Sequence, residues 1–344
     1  MSWEHNLPDG VSDVQKTPDG FTGAVSIPPD EDGYIGRRCA GCDGKFRMLA
    51  TEYNSLPEDA DLTCPYCGNR ADHSEFMTEG QRERAFAGAE AITEQHIHDM
   101  VDDIFARAFG GGQQAPSRGS MFSVEFKYTP GPRPAVRPLP EVIEDRARRI
   151  IVCPGCSTHY AVYSSSAFCP VCGPRAAADT VLEQIAAGRA ALAVEDHLPP
   201  AQAEAARDAG VFEGMAGNTL KNVVTLFEVF ARDQFTTRAS NPTAAIKGKG
   251  NLFQRLDDTA QLFTDHCGID LPAAAGAAVW QRLREDFARR HVLTHCDGIV
   301  DAKFLAVVTN IGLQIGQRLV ITRQDAERAL GDVESVVQAL AALP

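Results

Sequence analysis

The sequence lacks any long hydrophobic run and shows no sign of a secretory leader. Its apolar runs fall far short of the about 20 consecutive residues that a membrane-spanning helix needs, so we expect no membrane contact. Residues 1–20 are polar and acidic, without the basic and apolar segments of a signal peptide. These absences lead us to expect a cytoplasmic protein.

Basic residues are scarce relative to acidic ones. The chain has 33 Lys and Arg against 46 Asp and Glu, a formal net charge of −13. A protein that coats nucleic acid needs many cationic contacts to phosphate, so this balance argues against that class. It still permits an enzyme with a small, local basic site.

Composition and hydrophobic periodicity predict a mainly α fold in six segments. The expected architecture is a C-terminal bundle of antiparallel helices, preceded by two small β modules and a long helix. The segments are a flexible acidic arm (1–36), a first cysteine module (37–74), a long helix (75–110), a linker rich in Pro, Gly and Arg with one strand at 122–128 (111–147), a second cysteine module (148–174) and a helical domain (175–344).

Eight of the ten cysteines form four C-x2-C pairs, which in a cytoplasmic protein indicates metal binding rather than disulfides. Within each set of four, the two pairs are separated by 21 residues in the first and 12 in the second. The sets are Cys39, Cys42, Cys64 and Cys67, then Cys153, Cys156, Cys169 and Cys172.

Each set has the ligands of a tetrahedral zinc site. A two-residue spacer lets one tight turn present two thiolates to one ion, and zinc takes four such ligands. Both sets resemble zinc ribbons, which implies about two structural zinc ions per chain. Redox-active pairs, rubredoxin-like iron and pairing across the two sets stay open as alternatives.

The role of the ribbons is open between structural support and recognition. A metal replaces the hydrophobic core that such short segments cannot build, and this structural role is the one we prefer. The alternative is a role in recognition, in which the ribbons or the acidic arm bind RNA or a regulatory protein partner.

A cationic cluster interrupts the apolar face of the helix predicted to start near Ala277. After Leu283 and Phe287, the same face reaches Arg290, which lies about 20° from Leu283 on a helical wheel. His291 and His295 are i, i+4 neighbours and share a side of the helix. A charge on a core-facing stripe is costly unless it is paired or opens onto a cleft.

The segment from Arg290 to His295 fits the R-x4–6-H motif and resembles HEPN domains. Its context is similar as well, with Asp297 and Gly298 just after the motif and a final helix that starts with the capping pair Thr322 and Asp325. One departure is Cys296, which stands where many relatives have Asn. The resemblance covers residues 176–342.

The resemblance implies a homodimer that cleaves RNA without a metal in the reaction. The 2′-hydroxyl would attack the neighbouring phosphate and leave a 2′,3′-cyclic phosphate. His295 would act as general base or acid, Arg290 would stabilise the developing charge, and His291 would assist or orient. Related domains often serve as toxins or antiviral effectors.

Two other interpretations compete with this one. The chain could be a non-catalytic adaptor, with ribbons that bind RNA or protein and a helical domain that only dimerises. His291 and His295 could instead bind a metal together with His266 or Cys267, although the Glu of an H-E-x-x-H site is missing.

Overall fold

The structure is a computed structural model that describes residues 6–18, 20–109, 128–129, 131–309 and 312–343. Contacts divide the chain into two compact units. The first comprises Met1–Tyr163 with Pro170–Cys172, and the second comprises Ser164–Cys169 with Gly173–Pro344. No helix in the described ranges combines the length and apolar character that crossing a bilayer requires.

The strands of the described residues are short and pair only in antiparallel fashion. They are β1 (Val11–Thr17), β2 (Gly20–Val25), β3 (Tyr34–Arg38), β4 (Lys45–Leu49), β5 (Asp61–Thr63), β6 (Arg70–Asp72), β7 (Arg149–Val152), β8 (His159–Val162), β9 (Phe168–Cys169) and β10 (Gly173–Pro174).

The helices of the described residues lie mostly in the second unit. They are α1 (Ala50–Tyr53), α2 (Glu79–Phe109), α3 (Ala177–Leu192), α4 (Pro200–Asp208), α5 (Val211–Arg238), α6 (Pro242–Ile246), α7 (Leu256–Cys267), α8 (Leu271–Ala275), α9 (Ala277–His295), α10 (Ala302–Val307) and α11 (Arg323–Ala341). Small antiparallel sheets followed by many helices agree with the predicted class at this coarse level.

Strands β1 and β2 correct the expectation of a flexible arm over residues 1–36. They form a hairpin, with a bulge between Ser12 and Gln15. The hairpin packs on α2, where Gly88 permits close approach because a Cβ there would lie 2.5 Å from the Val25 side chain. The Pro- and Asp-rich composition favoured a flexible arm. The contact with α2 could not be predicted from it, because that helix is distant in sequence.

A four-stranded sheet joins segments that the sequence presents as separate modules. Its order is β3-β4-β8-β7, so the two hairpins whose turns contain the first cysteine pair of each set share one sheet. At the junction, Phe46 lies opposite Val162 and Met48 lies opposite Tyr160. All four side chains are buried, so the junction is part of a hydrophobic core.

The predicted long helix is confirmed as α2, which has 31 residues. Its apolar stripe is buried only in part: Ile92 is buried, whereas Phe86, Ile97 and Ile104 remain 69%, 50% and 57% exposed. The predicted strand at 122–128 lies outside the described residues except for Tyr128, and so do the three glycines that follow α2.

Helix α5 lies at the centre of the helical unit. Its phenylalanines Phe227, Phe230 and Phe235 are fully buried in one continuous core, to which α9 and α11 also contribute. The predicted start of α11 is confirmed as a reciprocal capping box, in which Thr322 and Asp325 bond each other's backbone N–H. This packing fixes the position of α9, which carries the candidate site.

Candidate functional site

The four thiols of the first cysteine set lie in one cluster. The Sγ atoms of Cys39 and Cys67 are 3.7 Å apart, and those of Cys42 and Cys64 are 3.6 Å apart. Tetrahedral zinc with Zn–S bonds of about 2.3 Å places its sulfur ligands roughly 3.8 Å apart. A disulfide would require about 2.05 Å, so the separations fit a metal site and exclude a disulfide.

The second set forms an equivalent cluster. The Sγ atoms of Cys153 and Cys172 are 3.4 Å apart, and all four sulfur atoms lie within 4.8 Å of one another. Pairing within each set is therefore confirmed, and the alternative of pairing Cys39 and Cys42 with Cys153 and Cys156 is wrong.

One backbone conformation recurs at all four C-x2-C turns. The residue after the second cysteine of each pair has a positive φ, between 60° and 82°. This conformation closes the turn so that both thiols face the same point. The four residues are Asp43, Gly68, Ser157 and Gly173. The sequence indicates this geometry where the residue is glycine, but Asp43 and Ser157 adopt it at a steric cost.

The electrostatics of the first cluster favour a bound cation. Burial raises the pKa of Cys42 and of Cys64, and four thiolates at such short separations would repel one another strongly. A divalent cation would hold them ionised, and the amide of Gly41 donates a hydrogen bond of 3.3 Å to the Cys39 sulfur. Both clusters are thus compatible with one zinc ion each.

The candidate catalytic residues lie at the C-terminal end of α9. His291 and His295 are exposed, and their ring centroids are 5.0 Å apart. Arg290 is half-buried on the preceding turn. The helix ends at His295, because Cys296 has φ −121° and Asp297 adopts a positive φ of 50°.

Arg290 differs from the other arginines of its helix. Arg282 pairs with Asp332 at 2.6 Å, and Arg284 pairs with Asp257 at the same distance. Within the described ranges, Arg290 has no ion pair and no side-chain hydrogen bond. A half-buried guanidinium without a partner is free to receive an anion such as a phosphate.

A buried ionic network behind the site escaped the sequence analysis. Asp286 is fully buried and accepts from Arg289 at 2.7 Å and from Arg328 of α11 at 2.9 Å. Arg328 also lies 3.5 Å from Asp332 on its own helix, and Asp332 accepts from Arg282 of α9 at 2.6 Å, so ion pairs link α9 and α11 at two points. The signal that could have revealed it is the i, i+3 pair of Asp286 and Arg289 on a helix with a buried face.

This network also separates two adjacent arginines. Five residues separate Arg289 from His295, so Arg289 also fits the R-x4–6-H spacing. Its side chain is only 11% exposed and forms an ion pair with Asp286, so its guanidinium is already occupied within the fold. Burial and pairing therefore favour Arg290 as the residue available to a substrate.

The metal site suggested for His291 with His266 or Cys267 does not form in the described part of the chain. His266 instead packs edge-on against Phe235, with ring centroids 5.9 Å apart. His291 instead lies close to Cys296 and Asp301, a combination that the spacing of these residues does not predict.

Comparisons with protein-family models, with curated proteins and with solved structures find no match for this chain.

Proposed function

We propose that this chain is a metal-independent endoribonuclease of the HEPN type. The observation that supports the proposal is the guanidinium of Arg290, which has no partner among the described residues, at the same end of α9 as the exposed imidazoles of His291 and His295. A cation without a partner and two imidazoles at one end of a helix are suited to phosphodiester chemistry, because imidazole can serve as a base or as an acid.

In the proposed reaction, one histidine accepts the proton of the 2′-hydroxyl as its oxygen attacks the adjacent phosphorus. The bond to the 5′-oxygen breaks, and that oxygen takes a proton from a second acid. The products carry a 2′,3′-cyclic phosphate and a 5′-hydroxyl. His295 serves as base or acid, His291 assists or orients, and Arg290 stabilises the additional negative charge on the phosphorane.

The proposal includes a homodimer. On an ideal helix, Arg290 and His295 point about 140° apart, so a single copy of α9 does not readily direct both at one phosphate. Two copies that meet at this end of α9 would form one cleft from both motifs. We further propose that zinc occupies both cysteine clusters and stabilises the N-terminal sheet, and that the enzyme acts as a toxin or antiviral effector.

The exposed apolar residues of α2 favour a second candidate function. Phe86, Ile97 and Ile104 together present a surface of the kind that protein partners cover. In this alternative the chain is a non-catalytic adaptor, and its ribbons or its long helix bind RNA or a protein.

A cleavage assay on the purified full chain separates the two functions. The enzyme should cut RNA but leave DNA intact, since DNA lacks the 2′-hydroxyl. His295→Ala should lower the rate by about 10²–10⁴-fold, the usual contribution of a general acid or base. His197→Ala is the matched control, because His197 is also an exposed histidine of the helical unit. Products with a 5′-phosphate, or equal losses in both variants, would overturn the proposal.

A further inference from the structure

The turn that follows α9 brings together three side chains of the kinds that bind transition metals. They are His291, on the last turns of the helix, Cys296, directly after it, and Asp301, at the start of α10. One potential ligand atom from each residue lies within 4.8 Å of the other two. Neither cysteine set includes any of these residues.

Hydrogen bonds hold two of the three ligands in place. One carboxylate oxygen of Asp301 caps α10 by accepting from the Phe304 amide at 2.8 Å. Its other oxygen lies 3.9 Å from the Cys296 sulfur. The Cys296 amide donates to the carbonyl of Val292 at 3.0 Å, and its carbonyl accepts from Ile299 at 2.8 Å. Asp301 therefore keeps one oxygen available to a metal without losing its cap.

The intervening turn is fixed by contacts to a second segment of chain. Asp297 and Gly298 both have positive φ, at 50° and 75°, which reverses the chain directly after Cys296. The carbonyl of Gly298 accepts from Leu319 at 2.8 Å, and the amide of Val300 donates to Gln317 at 2.9 Å. Since the chain that carries Cys296 and Asp301 is held in place before any ion binds, only the His291 side chain needs to be ordered on binding.

The donor set selects the metal. One imidazole nitrogen, one sulfur and one carboxylate oxygen suit zinc, whereas calcium and magnesium prefer oxygen ligands alone. Ligands of tetrahedral zinc lie roughly 3.3–3.8 Å apart, given bond lengths of about 2.0–2.3 Å. The separation of 3.9 Å between the Cys296 sulfur and the Asp301 oxygen is close to that spacing.

We propose that His291, Cys296 and Asp301 form a third zinc site, separate from the two cysteine clusters. Three protein ligands leave the fourth position to a water molecule, since His291 is exposed to solvent. A further consequence rests on the proposed ribonuclease function. Zinc bound to His291 would withdraw that residue from the reaction and would place an ion beside Arg290 and His295, so zinc would inhibit RNA cleavage reversibly.

Zinc counting on the full chain tests the site directly. The protein is equilibrated with a zinc buffer that keeps both cysteine clusters loaded, then analysed for elemental zinc. We expect about three zinc ions per chain in the unaltered protein, one for each cluster of ligands. Cys296→Ser and Asp301→Asn should each retain about two, because each loses one ligand. Asp301→Asn keeps an oxygen that can cap α10, so its fold should persist.

Cys267→Ser is the matched control for a lost thiol. Cys267 also lies in the helical unit and is half-buried, but it belongs to no ligand cluster in the described residues. This variant should still hold about three zinc ions. A third zinc that persists in Cys296→Ser and Asp301→Asn, or that never binds to the unaltered chain, would overturn the proposal.

The inhibitory role is measured separately, as the ratio of RNA cleavage rates without and with zinc for each protein. Loss of His291 from the reaction, together with a cation placed near His295, should slow the unaltered enzyme by about tenfold or more, while Cys296→Ser should show little response. An unchanged rate in an enzyme that holds the third zinc would refute the inhibitory role. If no condition yields RNA cleavage, the ribonuclease proposal fails, and the zinc counts still decide whether the site exists.

Discussion

Arg289 and Arg290 are adjacent in sequence, but substituting them should affect different properties, namely stability for Arg289 and activity for Arg290. Arg289 is buried against Asp286, which is itself fully buried, whereas Arg290 has no partner among the described residues. We predict that Arg289→Ala lowers the free energy of unfolding while Arg290→Ala lowers activity with little change in stability.

The structure sets the size of the effect. Removing one partner of a buried ion pair usually costs about 3–5 kcal/mol, because the other charge is left buried without compensation. Arg328 remains 2.9 Å from Asp286 and still neutralises part of its charge. We therefore place the cost of Arg289→Ala at or just below the bottom of that range, at about 2–3 kcal/mol. Arg290→Ala removes no such pair and should change stability by less than about 0.5 kcal/mol.

Urea unfolding followed by tryptophan fluorescence measures both effects. Trp280 lies buried on α9, and replacing Trp3, the only other tryptophan, makes it the sole reporter. With a slope of about 2 kcal/mol per molar, Arg289→Ala should move the midpoint down by about 1–1.5 M. A midpoint for Arg289→Ala that matches the unaltered protein would refute the assignment of Arg289 as structural.

The same comparison has a predictable pH dependence. Burial raises the pKa of Asp286, although Arg328 and Arg289 oppose that shift. A raised pKa means that ionisation of Asp286 disfavours the folded state, so stability falls as pH rises through the folded-state value. Without Arg289 that pKa rises further. The difference in free energy of unfolding between the unaltered protein and Arg289→Ala should therefore increase with pH. It should be smallest in acid, where Asp286 is protonated in both proteins.

Three further predictions concern other parts of the chain. Thr322→Ala should cost about 1 kcal/mol of stability in thermal unfolding, since it removes the N-terminal cap of α11; an unchanged melting temperature would contradict the capping box. Cys64→Ser should release one zinc ion and leave about one in the two cysteine clusters under zinc-limited conditions, as elemental analysis can verify. Light scattering should give twice the mass of one chain, and a monomer that still cleaves RNA would exclude the composite cleft.

Local patterns predicted the features that depend on neighbours in sequence. Residue spacing over short stretches of sequence predicts three of these features. They are the helix over 79–109, the cap at Thr322 and the grouping of the cysteines into two sets. The turn conformation after each second cysteine was predictable at Gly68 and Gly173, because glycine adopts positive φ at little cost.

Pairings between distant segments were beyond the reach of such patterns. Pro18, Asp19 and Gly20 have the sequence of a tight turn, but nothing in residues 11–25 indicates that the hairpin packs on α2, because that helix is distant in sequence. The buried position of Asp286 depends on Arg328, which belongs to another helix. The grouping of His291 with Asp301 likewise depends on a chain reversal at Asp297, and few of the aspartates in a sequence adopt positive φ, so the pattern alone does not identify this one.

The junction between β4 and β8 has a consequence for synthesis on the ribosome. Met48 pairs with Tyr160, more than a hundred residues later in the chain. At about 5–20 residues per second, the edge of β4 waits on the order of 5–20 s for its partner to be translated. During that interval the nascent first ribbon exposes an unpaired strand edge, which is prone to pairing with other chains. Early zinc capture by Cys39, Cys42, Cys64 and Cys67 would hold that ribbon in shape until the second one emerges.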